Sequence, residues 1–185
     1  MKTLLLLLLF CRVSSTVKHS LKFYVTASSG VPNLPEFMIV AEVDDIQVVH
    51  CDGSNKILET RQDWMKKLLD DNPQLLTQST QDCFQILPPL FKIALISVSQ
   101  LSNHSEGSGV HILQLMIGCE LDEKTGEVTG FSRYGYDGKD FIELDLKTLT
   151  WTALRPEAEI IKQIWDAETL TIKQYVEFLR FSLRI

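Results

Sequence analysis

The side chains that could do chemistry are few and scattered. His50-Cys51-Asp52 sets an imidazole, a thiol and a carboxylate in succession, a combination able to bind a metal. On a strand, however, neighbours point to opposite faces, so the three cannot converge on one ion. They are expected to be scattered surface residues at a strand end. Asp44-Asp45 could pair carboxylates for acid–base work, but two aspartates between apolar runs are what a hairpin turn uses. His19, His104 and His111 have no cysteine or glutamate at zinc-ligand spacing. There is no GxSxG elbow, P-loop or GxGxxG fingerprint. The expectation is a non-enzyme without metal or cofactor.

The opening residues, MKTLLLLLLFCRVSS, combine Lys2, an unbroken apolar run and a small Ser15, which reads as a secretory leader over residues 1–15. Beyond it the most apolar stretch, Ile86–Val98, contains Pro88, Pro89 and Lys92, and no anchor is expected. The chain has 24 acidic against 18 basic side chains. That balance argues against nucleic acid as a partner. Cys11 leaves with the leader, so Cys51, Cys83 and Cys119 remain, an odd number for an oxidising compartment.

Elements that could position these residues fall into two similar halves. Over residues 17–60, SLKFYVTAS, EFMIVAEV and IQVVHCD alternate as strands between turn residues. RQDWMKKLLDD then reads as a short helix ending at Asn72-Pro73. A longer helix follows, with Leu76, Cys83, Leu87, Phe91, Ala94, Val98 and Leu101 on one stripe. Ile86, Ile93, Leu95 and Ile96 lie outside that stripe. Pro88-Pro89 is expected to kink it near Leu87. After the loop NHSEGSG come VHILQLMIGCEL, GEVTGFSRYGY, KDFIELDL and TLTWTA, then a helical region from Pro156. Strands then helix, twice over, predicts an α+β fold with about eight antiparallel strands and two helical segments over one face.

VKHSLKFYVTASSG, GVHILQLMIGCE and GFSRYGYDGKDFIELDLKTLTWTA, in that order and spacing, closely resemble the alpha-1 and alpha-2 domains of an MHC class I heavy chain, the bony-fish type most of all. The resemblance implies a platform with a groove between two helices, residues 16–106 forming one half and 107–185 the other. It implies beta-2-microglobulin beneath, lymphocyte receptors above, and a peptide or other ligand between. By family position Phe23, Val25, Leu115, Ile117, Ser132 and Tyr134 face the groove from the floor. Ile161, Ile164 and Trp165 join it from the last helix, opposite the stripe already named. Gln114, Gly138 and Asp140 match positions facing the light chain, and Asn103, in Asn103-His104-Ser105, matches the family's glycan.

The sequence departs from the family where peptide termini are held. Polar clamp positions are occupied by Phe23, Leu101, Ile117, Ile161 and Ile164, and only Trp165 persists. Buried charged termini need polar partners, so the groove is expected to prefer a hydrophobic or nonconventional ligand; a conventional peptide presenter, and an empty-groove interaction protein or truncated product without ligand, are the alternatives. In the family the Cys119 position is bridged to the last helix, yet no cysteine follows Cys119 here, and Tyr175 stands near the partner's place. Cys119 is therefore expected unpaired, with Cys83 a substitute only if it faces down from the first helix and Cys51 more remote still. The chain is expected to lack the third domain and the membrane segment, with a shortened last helix.

Overall fold

The structure is a computed structural model that describes residues 17–101, 109–146 and 148–167. The leader, the Asn103 sequon and Tyr175 lie outside the described residues. Eight strands form an antiparallel sheet: β1 (Lys18–Ser29), β2 (Phe37–Val43), β3 (Ile46–Asp52), β4 (Ile57–Thr60), β5 (His111–Asp122), β6 (Val128–Tyr136), β7 (Lys139–Asp145) and β8 (Thr150–Ala153). Their spatial order is β4-β3-β2-β1-β5-β6-β7-β8. Each half is thus a four-strand meander, and the halves join along β1 and β5, paired from Lys18 opposite Asp122 to Ser29 opposite His111. The short β4 was not separable from the turn residues before it by sequence.

Helices follow each meander. After β4 come α1 (Asp63–Asp71) and α2 (Pro73–Gln81), then a π-helical turn (Asp82–Ile86) and α3 (Leu87–Leu101). After β8 a 3₁₀ turn (Pro156–Ala158) opens α4 (Glu159–Ala167). The break between α1 and α2 falls at Asn72, whose side-chain amide donates to the Leu68 carbonyl at 2.7 Å, while Pro73 starts the next helix where a missing N–H costs nothing. Hairpin turns use left-handed pairs: Asp44 and Asp45 have φ of 50° and 61°, Asp137 and Gly138 of 49° and 75°. Such pairs match the twist of the strands they join.

The double proline is accommodated without a break. Pro88 and Pro89 sit in the first turn of α3, and the wide π turn precedes them. Pro88 cannot donate to the carbonyl of Phe84 four residues back. Lys56 fills that place, its Nζ 2.9 Å from the Phe84 oxygen and 5.4 Å from the ring centroid. The continuous run Pro73–Leu101 is 29 residues and, by length and composition, could cross a membrane. The apolar stretch is thus longer than the Ile86–Val98 read from the sequence, and its α3 part packs onto β1 and β5.

At one end of the β1–β5 seam a histidine joins both halves. His19 Nδ1 lies 2.8 Å from Asp44 Oδ2 and Nε2 lies 2.8 Å from Glu123 Oε1. Only the imidazolium donates from both nitrogens. The hydrogen bond to Asp44, then that to Glu123, holds its pKa above 6.5. Lys18–Glu120 and Lys22–Asp45 pairs flank it. With the folded-state pKa raised, the stabilisation is complete below the unfolded value and is lost as pH rises through the folded one. The expected result is an NMR titration midpoint for His19 above 6.5. His19→Ala should remove stability on the acid side of that midpoint and leave the alkaline side unchanged, a small effect at so exposed a site.

Candidate ligand groove

Two cross-strand rows pave the sheet beneath the helices. One runs Phe23, Ile117, Ser132, Leu144, Trp151 and the next Val25, Leu115, Tyr134, Ile142, Ala153, across β1, β5, β6, β7 and β8. Beyond β1 they continue as Ala41, Val49, Thr60 and as Ile39, Cys51, Leu58. Neither row contains a charged residue. The register therefore places all six floor residues expected from the sequence on one face. It adds Leu144 and Trp151, whose signal was the alternation within FIELDL and TWTA.

Walls come from α3, packed on β1 and β5, and α4, packed on β8, and the two helices also meet each other. Phe91 and Val98 are buried, and Leu87, Ala94 and Leu101 pack partly buried on the same core. Ile161 of α4 is 1 % exposed. Leu76 and Ile164 are exposed instead and take no part in this packing. Leu95, placed outside the stripe by sequence, is also buried, because α3 seats a wider arc than a single stripe. Lys92 reaches Glu36 at the start of β2, on the flank away from α4. Leu90 and Ile93 lie on the opposite flank by helical angle and remain exposed.

Aromatic rings close the floor between the walls. Phe91 meets Phe37 at 5.7 Å and Tyr134 at 6.4 Å between centroids. Tyr134 is 4.9 Å from Trp165 and 6.0 Å from Trp151, and the two tryptophans meet edge to face at 4.8 Å. Asp166 fixes the end of α4 to β8: its carboxylate accepts from the Trp151 backbone N–H at 3.2 Å and pairs with Lys162 at 2.6 Å.

The thiols sort differently from any pairing considered in the sequence. Cys51 of β3 and Cys83 of the π turn form a disulfide, with Cα atoms 6.2 Å apart. Cys51 and Asp52 are buried, which corrects their assignment to the surface, and Cys83 is committed to the bridge, not to the cleft. Gly53 makes the approach possible, since a Cβ there would stand 2.9 Å from the Cys83 carbonyl oxygen and 2.8 Å from the Phe37 ring. Cys119 is free and buried beside the Leu21 carbonyl, and burial pushes its thiol pKa up. It is neither a ready nucleophile nor a metal ligand in that form.

The opposite face of the sheet is mixed. Gln114 is exposed there between buried Leu113 and Leu115, and the row Val40, Tyr24, Met116, Arg133, Glu143 crosses five strands. Arg133 holds Glu143 at 2.7 Å and Asp140 at 3.4 Å. Gly138 lies in the exposed β6–β7 turn.

An eight-stranded floor under helices that follow each half is the architecture implied by the sequence resemblance, and direct comparison decides the family. The model of class I histocompatibility antigen domains alpha 1 and 2 matches residues 17–183. The chain belongs to the MHC class I family. Among class I relatives, the major histocompatibility complex class I-related protein 1 of Rattus norvegicus is 38 % identical over 159 residues, covering 83 % of this chain and 43 % of the relative. The Bos taurus protein of that name is 34 % identical over 165 residues, covering 88 % and 47 %. The H-2 class I histocompatibility antigen, K-D alpha chain, of Mus musculus is 33 % identical over 171 residues, covering 89 % and 45 %. The class I chain thus spans less than half the length of each of these relatives.

Proposed function

We propose that this class I chain is a non-enzymatic ligand platform of the immune system whose groove takes an apolar ligand in place of a peptide with free termini. The observation that carries the reading is the pair of floor rows without a charged side chain, walled by Leu87, Phe91, Val98, Leu101 and Ile161. An ammonium or carboxylate terminus lowered among these groups would lose its hydration with nothing to replace it. The close aromatic packing of Tyr134, Trp151 and Trp165 favours, as a second reading, a closed groove whose helices engage a receptor directly.

Beta-2-microglobulin is the proposed partner of the lower face, meeting Gln114, Gly138 and Asp140. The half-buried Tyr24, Val40 and Met116 give that face an apolar centre ringed by charge, the usual make-up of a protein interface. Lymphocyte receptors are the proposed partners of the upper face, and Asn103 is the proposed glycan site. The proposed route is the secretory pathway to the cell exterior. A thermal-shift comparison tests the ligand class. A neutral-lipid extract should raise the melting temperature of the chain paired with its light chain, and a random nonapeptide library should not. Stabilisation by the peptides alone would reverse the assignment.

A further inference from the structure

Two buried polar atoms on the groove floor have no hydrogen-bond partner among the described residues. Ser132 is 2 % exposed and its Oγ is unbonded; Trp151 is 7 % exposed and its indole Nε1 is unbonded. Both stand in the same floor row, on either side of Leu144. Strand spacing sets their backbones roughly 10 Å apart. Native folds leave few such groups without a partner, and each one left over needs an explanation.

Their neighbours along the floor row are apolar or already engaged. Ser132 is flanked in its row by Ile117 and Leu144, which have only carbon in their side chains. The Trp151 ring lies against Trp165 and Tyr134. Asp166, whose carboxylate reaches β8, is already engaged by the Trp151 backbone N–H and by Lys162. Neither orphan group is charged, and no cation stands in either floor row.

Building on the apolar-ligand reading, we propose that Ser132 Oγ and Trp151 Nε1 are the polar handles of the groove, and that its ligand is an uncharged long-chain molecule bearing one amide, alcohol or ester head. An indole N–H can only donate, so the ligand supplies an oxygen acceptor; the serine hydroxyl serves as either donor or acceptor. An ionised carboxylate would also accept. It would do so beside Asp166 and without a counter-charge on the floor, which buries a charge unpaired. A bare hydrocarbon would fill the same space and leave both atoms as they are.

A ligand series separates these cases. The full chain, assembled with its light chain, is titrated at neutral pH with palmitamide, palmityl alcohol, palmitate and hexadecane. The amide and the alcohol are expected to bind about tenfold more tightly than the hydrocarbon, and palmitate more weakly than the amide. Ser132→Ala and Trp151→Phe should each weaken palmitamide about five- to tenfold and leave hexadecane unchanged. Ser132→Ala should also melt no earlier than the parent without ligand, since it deletes an unbonded hydroxyl. An earlier melt would mean that the hydroxyl has an internal partner and would overturn the proposal. Equal binding of amide and hydrocarbon, tighter binding of palmitate, or ordered waters holding these atoms beside a bound ligand would overturn it too, with the apolar-ligand reading left standing. Failure of the whole series to bind would remove both.

Discussion

Replacing Cys51 and Cys83 together by alanine is expected to lower the stability of the folded chain by about 3–4 kcal/mol. The bridge closes a loop with a sequence separation of 32, and the entropy that such a cross-link removes from the unfolded chain has that magnitude. Stability of a domain this size is on the order of 5–15 kcal/mol, so the melting temperature should fall by about 10 °C. The loss should concentrate on one wall. Cys83 lies in the π turn between α2 and α3, and the bridge is its covalent tie to β3, beside the Lys56 hydrogen bond to the Phe84 carbonyl. Hydrogen exchange should therefore quicken first along residues 76–90. Cys119→Ala serves as the contrast. It removes one buried, unbridged sulfur and should cost about 1 kcal/mol. Equal losses from the two changes, measured by denaturant melts under non-reducing conditions, would show that the bridge contributes nothing of its own.

Phe91→Ala is the second large effect, expected at about 3–5 kcal/mol. Phe91 touches Phe37 on the outer side and Tyr134 on the inner side, so its ring links the two halves of the sheet through a helix residue. Truncation leaves a space under α3 bounded by Phe37 and Tyr134, residues too constrained by their strands to collapse into it. Because that space lies at the groove floor, an apolar ligand that fills it should restore part of the loss, by the ordinary linkage between binding and stability. Denaturant melts of Phe91→Ala with and without a saturating lipid extract measure both quantities. Lack of destabilisation would mean that the aromatic cluster is not continuous through α3.

The parts of this architecture that were legible in the sequence are those governed by local rules. Alternation in SLKFYVTAS and HILQLMIGCEL gave the seam strands and which side chains share a face. Asp44-Asp45 gave a hairpin, and Asn72-Pro73 a helix end. What was not legible depends on contacts distant in sequence. The partner of Cys83 is set by the π turn, which rotates it toward β3, and no spacing rule encodes that rotation. The Pro88-Pro89 problem is solved by Lys56, 32 residues earlier. Leu95 was misplaced because a wheel drawn for one regular helix ignores a wide turn just upstream, and because α3 seats a broader arc than one stripe. Leu76 and Ile164 have the residue type expected of a groove and are exposed. The six floor residues share one face because a strand has only two, and their place in a groove is what the resemblance implies.

The central proposal is that the groove of this class I chain holds an uncharged apolar molecule and not a peptide with free termini. Mass spectrometry of material released by acid and organic solvent from the chain co-expressed with beta-2-microglobulin, its proposed partner, tests it most directly. The account predicts neutral lipids or other uncharged apolar molecules in near-stoichiometric amount, with peptides at background. A pool of short peptides with recurring anchor residues, recovered in similar amount, would contradict it.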